Sequence, residues 1–146
     1  MKVAIGSDHA GFKLKEEIKK HLAKQKIEVA DLGTNSEEAV DYPDFAFPVA
    51  EAVSSKIADR GILICGSGVG MVVAANKVKG IRAVNAYDEN TAKQSREHGD
   101  CNVLCLAGRK LSTDQALKIV DIWLKTPFSG DERHIRRIGK IAKREG

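Results

Sequence analysis

The chain is poor in cysteine, with three among 146 residues: Cys65, Cys101 and Cys105. An odd, sparse set excludes a disulfide-stapled scaffold and suits a reducing compartment, so a cytoplasmic location is expected. No apolar run approaches the roughly 20 residues that cross a bilayer, which excludes a helical membrane span. The opening MKVAIGSDHAG is too briefly apolar for a secretory signal. Aromatic residues make up 5% of the chain, and none interleaves with the basic stretch that ends it. Base stacking has no platform there, which argues against nucleic acid as a partner. Low-complexity tracts and long linkers are missing too. Residues 1–146 therefore read as one domain, long enough to bury its own core.

Two phosphate-binding motifs are nearly present and fail on inspection. Gly6-Ser7-Asp8-His9-Ala10-Gly11 has the glycine spacing of a P-loop, but Phe12-Lys13 follows where Lys-Ser/Thr belongs. Gly66-Ser67-Gly68-Val69-Gly70 alternates its glycines and follows the third apolar run, not the first. Met71 and Val73 fill places where a dinucleotide fingerprint needs a small residue. Neither nucleotide hydrolysis nor NAD binding is expected.

What the chain does have is alternation. Apolar runs at 2–7, 26–33, 61–66, 81–86 and 102–108 read as five strands, and several are apolar on both faces, as in buried parallel sheets. Helical patterns separate them. Leu14, Ile18 and Leu22 mark the first. Tyr42, Phe45, Val49, Val53 and Ile57 mark the second, whose Pro48 implies a late start or a bend. The third runs from Met71 to Val78 and the fourth from Asp88 to His98. The fifth opens on the capping-box pair Ser112 and Gln115 and closes before Pro127. A sixth begins near Asp131, with Ile135, Ile138, Ile141 and Ala142 expected to face the protein. Alternating strands and helices imply an α/β fold with a parallel sheet covered on both faces.

In such sheets ligands bind beyond the carboxyl ends of the strands. Those ends carry Ser7, Asp8 and His9 (first strand), Cys65 and the glycine loop (third), Asn85 and Tyr87 (fourth), and Gly108 and Arg109 (fifth). Cys65 reads either as a small core residue or as a thiol beside a helix N-terminus, a setting that favours the thiolate. The loop offers backbone N–H groups that hold an anion, whether a phosphate or a developing oxyanion. Asp8 reads as a cap or a catalytic acid; a cap does not account for His9. His98 suits a helix C-terminus on electrostatic grounds alone. Asp8, His9, His98 and Asp100 lack compact ligand spacing, so no metal is expected. The stretch 131–146 holds six Lys/Arg against three acids, most of the net charge of +4. Within it Arg133 and Arg137 share a face, either simply solvated or gripping a phosphate bidentately.

SDHAG (7–11), DYP (41–43), CGSGVGM (65–71), AANKVKGIRA (74–83), EHGDCNVL (97–104), LAGR (106–109), TPF (126–128) and RHIRR (133–137) together resemble the type B ribose-5-phosphate isomerase family, which also includes galactose-6-phosphate isomerase subunits. The resemblance covers nearly the whole chain. It implies a Rossmann-like three-layer α/β/α sandwich with a five-stranded parallel sheet and a C-terminal basic helix. It implies a cofactor-free and metal-free aldose–ketose isomerase, a homodimer or dimer of dimers with shared active sites. It assigns Cys65 as the base moving a proton between C1 and C2, with Ser67 near the reacting oxygens. Gly66, Gly68, Val69 and Gly70 form the oxyanion nest. Asp8 and His98 open the sugar ring, His98 from the neighbouring subunit. His9, Arg133, Arg137 and His134 hold the phosphate, with Arg109 reaching in from the partner, and Tyr42 lines the pocket. Gly99 departs from the asparagine that often follows the motif histidine, so one side-chain contact to the sugar is in doubt. Six-carbon sugar phosphates (allose or galactose 6-phosphate) and a non-catalytic sugar-phosphate sensor remain open alternatives.

Overall fold

The computed structural model describes residues 1–146. Five parallel strands form one sheet in the order β2-β1-β3-β5-β4: β1 (Lys2–Ser7), β2 (Glu28–Asp31), β3 (Arg60–Cys65), β4 (Ala83–Asn85) and β5 (Val103–Ala107). The helices are α1 (Phe12–Lys24), α2 (Pro43–Ser54), α3 (Val69–Ala75), α4 (Glu89–Gly99), α5 (Thr113–Lys125) and α6 (Glu132–Glu145). Side chains alternate across each strand. Ile62 and Ile64 join α1, α4 and α5 on one face, in a core centred on Trp123. Leu63 and Cys65 join α2 and α3 on the other. The three-layer sandwich is thus built from strands apolar on both sides.

Several local features follow the sequence and others depart from it. Ser112 and Gln115 form the reciprocal capping box that opens α5. The helix α2 starts at Pro43 and continues through Pro48, so it does not begin late. Its buried face is Ala46, Val49, Ala50 and Val53, while Tyr42 and Ile57 are exposed. Val49 and Val53 sit against Gly6 of β1 and Gly61 of β3, with Ala46 and Ala50 beside them and Phe45 packed at the edge of the same core. The helix α3 ends at Ala75, short of Val78. The two glycines of the failed P-loop serve packing: a Cβ on Gly11 would sit 2.5 Å from the Ile64 carbonyl oxygen, and one on Gly6 would sit 3.0 Å from Val49. On α6 the expected inward stripe is not covered by the chain itself. Ile135 is 54% exposed and Ile141 is 56% exposed. The helix packs on α4, with His134 buried and Ile138 half-buried, and Glu145 near its end accepts from the Gly80 N–H at 2.8 Å.

An ion cluster braces the segment between β2 and the end of β1. The Lys15 side chain is fully buried, and its ammonium lies 2.6 Å from Asp31; Lys19 approaches the same carboxylate at 2.7 Å. Burial alone would raise the pKa of Asp31, but hydrogen bonds from Lys15, Lys19 and the Gly33 N–H outweigh it and hold the carboxyl below its usual range. The next links are direct: the Ser7 N–H donates to the Gly33 carbonyl at 2.6 Å, and the Thr34 N–H donates to the Ser7 carbonyl at 2.8 Å. Asp31 therefore steadies the backbone that presents Asp8. Asp31→Ala leaves a buried ammonium short of its main partner and is expected to cost about 3 kcal/mol in urea unfolding. Because the folded pKa is depressed, this stabilisation is present at neutral pH and is lost as pH falls through the folded value, below about pH 4.

Candidate active site

The strand order reverses between β1 and β3: the chain runs outward from β1 to β2 and then crosses to β3. A crevice opens beyond such a switch point. Here a cleft of about 460 Å³ is lined by Asp8, Tyr42, Cys65, Gly66, Ser67, Gly70, Arg109 and Lys110. Pairing with β5 fixes its far wall, since the Gly108 N–H donates to the Cys65 carbonyl at 2.8 Å and the Arg109 N–H to the Gly66 carbonyl at 3.1 Å.

Cys65 ends β3 and is 4% exposed, so it both packs in the α2/α3 core and faces the cleft. The Gly68 N–H donates to its Sγ at 3.1 Å. Such a contact strengthens when sulfur carries negative charge. Burial pushes the Cys101 and Cys105 thiols up, and neither lines this cleft. The loop after Cys65 turns at Gly68, whose φ of 79° is left-handed and suits glycine. Gly70 is required by proximity: a Cβ there would lie 2.8 Å from the Tyr42 ring. Ser67 Oγ accepts from the Val69 N–H at 3.2 Å at the start of α3.

Asp8 is both cap and cleft residue. Its Oδ1 accepts from the Gly11 N–H at 3.1 Å, closing a short 3-10 turn at His9–Gly11. His9 does not line the cleft. Its Nδ1 accepts from the Val40 N–H at 3.1 Å, which places the proton of the neutral ring on Nε2. Arg109, expected from a partner, packs over Gly66 in its own chain, its Cδ 3.1 Å from where a Gly66 Cβ would stand.

The remaining expected residues lie elsewhere. His98 and Arg137 line a second cleft of about 410 Å³ with Arg82, Gly99, Cys101 and Ile141, and no residue lines both clefts. Arg133 is exposed on α6 near them. His134 departs from its expected place in the phosphate clamp because both ring nitrogens are engaged. Nδ1 lies 2.8 Å from Ser129 Oγ, and Nε2 accepts from Arg133 Nε at 3.3 Å. Its ring stacks on His98 with centroids 4.3 Å apart. Burial lowers its pKa, and the neighbouring His98 and Arg133 lower it further. It buttresses His98. Asp8, His9, His98 and Asp100 are not brought together as a ligand set.

Sequence reading missed Lys110 in the first cleft, because an exposed lysine after a strand carries no pattern. It also missed Arg82 and Arg96. Arg82 donates to the Gly99 carbonyl at 2.8 Å and the Asp100 carbonyl at 3.0 Å, and Arg96 donates to the Cys101 carbonyl at 2.8 Å. These fix the backbone that follows His98. A buried arginine on an otherwise polar helix, as Arg96 is on α4, was the available signal.

An open parallel α/β sheet with a thiol, backbone donors, a carboxylate and cations at its switch point defines a protein that binds a small anionic molecule and can move a proton on it. A family model described as ribose/galactose isomerase matches residues 3–141. The chain is 48% identical over 140 residues to ribose-5-phosphate isomerase B of Escherichia coli, covering 96% of this chain and 93% of that one. Its structure superposes on that of ribose-5-phosphate isomerase B from Clostridium thermocellum with a TM-score of 0.97 and 54% identity, covering 99% of this chain and 97% of that one. It likewise matches the Mycoplasma genitalium ribose-5-phosphate isomerase B with bound ribulose-5-phosphate, with a TM-score of 0.95 and 48% identity over 99% and 95% of the two chains. The chain belongs to the ribose/galactose isomerase family.

Proposed function

We propose that this chain interconverts ribose 5-phosphate and ribulose 5-phosphate by proton transfer through an enediolate. One observation carries the mechanism: the Cys65 thiol shares a cleft with a loop whose Gly68 N–H already points at sulfur. Asp8 and His98 open the furanose ring by general acid–base catalysis. The Cys65 thiolate takes the proton from C2 of the open aldose. The electron pair left behind moves into an enediolate, the O2 proton passes to O1, and Cys65 returns its proton to C1 to give the ketose. N–H groups of the loop from Gly66 to Gly70 receive the developing negative charge on the two oxygens, with Ser67 Oγ beside them; one well-placed donor is worth about 3 kcal/mol. His9, Arg109, Arg133 and Arg137 hold the phosphate, whose binding energy orients the carbon chain. Lys110 adds a cation to the same cleft. Side chains and backbone alone supply these steps.

The active unit is a dimer in this reading. Each chain carries two half-sites, one with Cys65 and one with His98 and Arg137. Exposed apolar side chains accompany both, Val69 and Val73 on α3 and Ile135 and Ile141 on α6. A two-fold axis that covers these faces joins the first half-site of one chain to the second of its copy. A cytoplasmic location goes with three unpaired thiols; no helix is long and apolar enough to cross a membrane. The test is steady-state turnover in EDTA. Ribose 5-phosphate is expected to convert to ribulose 5-phosphate at an undiminished rate, faster than allose 6-phosphate or galactose 6-phosphate reacts. Turnover of a six-carbon substrate alone overturns the assignment.

A further inference from the structure

The glycine loop is held from behind by two side chains that do not line the cleft. Asn85, the last residue of β4, donates from Nδ2 to the Ser67 carbonyl at 3.1 Å. The Tyr87 hydroxyl donates to the same carbonyl at 2.9 Å and accepts from Asn85 Nδ2 at 3.2 Å, closing a triangle. The amide orientation is fixed by its surroundings, since turning it over would set an oxygen against the Ser67 oxygen. Asn85 Oδ1 is then left buried with no partner, against Gly68. A Cβ on Gly68 would lie 2.5 Å from that oxygen. Glycine at 68 is thus what lets Asn85 approach the loop. The cost of an unpartnered buried carbonyl is borne to keep Nδ2 on Ser67.

The consequence lies in the geometry of one peptide unit. The Ser67–Gly68 bond is trans, so its C=O and N–H lie in one plane and point in opposite directions. Two donors grip the oxygen on the outer side. The N–H on the inner side is the one that meets Cys65 Sγ at 3.1 Å. Holding the oxygen aims the hydrogen, and donors on a carbonyl also polarise the N–H of the same amide. We propose that Asn85 and Tyr87 are positioning residues that act through the Ser67–Gly68 peptide plane to set the Gly68 N–H on the Cys65 sulfur. Their bearing on turnover rests on the reading of Cys65 as the proton carrier. Neither touches the substrate cleft.

The experiment compares the parent with Tyr87→Phe and with the double variant Asn85→Leu/Tyr87→Phe. It follows kcat, KM and their pH dependence, and the pH dependence of iodoacetamide alkylation read by mass spectrometry on the Cys65 peptide. The double variant is expected to lose roughly 10- to 100-fold in kcat, the scale of a displaced catalytic group. KM should stay within about twofold. A thiolate with a poorly aimed donor is less favoured, so the acid limbs of kcat and of alkylation should both move to higher pH by about half a unit. Tyr87→Phe keeps the Asn85 donor and should lose roughly three- to tenfold. Unchanged alkylation limbs in folded variants overturn the proposal, as does a loss confined to thermal stability. Should the double variant fail to fold, Tyr87→Phe decides by the same limb, because its ring is partly exposed and its loss leaves the core intact. A shifted alkylation limb with an unshifted kcat limb supports the clamp and removes Cys65 from proton transfer, so the two readings fail separately.

Discussion

Cys65→Ala is expected to abolish proton exchange at the substrate carbons, with kcat falling about 10⁴-fold, the upper range for a general base. The side chain lies in a core cluster rich in alanine, so the variant should keep the fold, checked by circular dichroism. The decisive readout is deuterium from solvent water at C1 and C2, followed by NMR. No other group on the α3 side of this cleft can take the proton: Met71 is fully buried and has no basic atom, and the Ser67 hydroxyl is bound to the Val69 N–H. Asp8 is the only carboxylate lining the cleft, and it has one oxygen committed to its turn. Deuterium entering at the parental rate would move the base to Asp8. The same variant should still bind ribose 5-phosphate with little change in affinity, because the cations proposed to hold the phosphate are untouched. Retained binding with lost exchange is the combination expected when a group acts on the transition state alone.

The five strands were legible in the sequence because buried parallel strands are continuous runs of Val, Ile and Leu, and the switch point followed from their alternation with helices. That placed Asp8 and Cys65 at the carboxyl ends of their strands; that β1 and β3 are neighbours is a fact of the sheet order. Of the α2 stripe, Val49 and Val53 are buried and Phe45 packs on the core, while Tyr42 and Ile57 are exposed; Ala46 and Ala50 complete the buried face, and small residues carry little periodic signal. The α6 stripe was correctly seen as apolar and wrongly assumed to be covered by its own chain. Periodicity reports that a face wants burial and says nothing about what buries it. His134 was grouped with the arginines by the family resemblance; its buried ring, bonded at both nitrogens, is a tertiary fact. Asn85 and Tyr87 were visible at the end of β4, but their grip on Ser67 spans about twenty residues and leaves no local pattern.

The separation of the two clefts makes the second large prediction. Arg133→Ala/Arg137→Ala should lower kcat/KM by roughly 100-fold or more, chiefly through KM, if each arginine supplies the proposed charge-assisted hydrogen bonds to phosphate. A solvated face would instead leave KM within about twofold of the parent. That variant and Cys65→Ala are each poor enzymes at low substrate, and co-expressing them tells whose arginines serve which thiol. In a two-fold dimer with shared sites, a mixed dimer places both lesions in one site and leaves the other intact. Half of the dimers are mixed at equal expression, so about one quarter of parental activity should return. If each chain serves its own site, every site carries a lesion and the mixture gives only the average of its two parts. The exposed Ile135 and Ile141 supply the matching control. Replacing both with lysine places like charges on the face that must be covered, and should yield monomers that retain the fold, as hydrodynamic size and circular dichroism would report. If the proposed dimer holds, those monomers should neither pair with either mutant chain nor turn over substrate, since Cys65 and Arg137 line separate clefts within one chain.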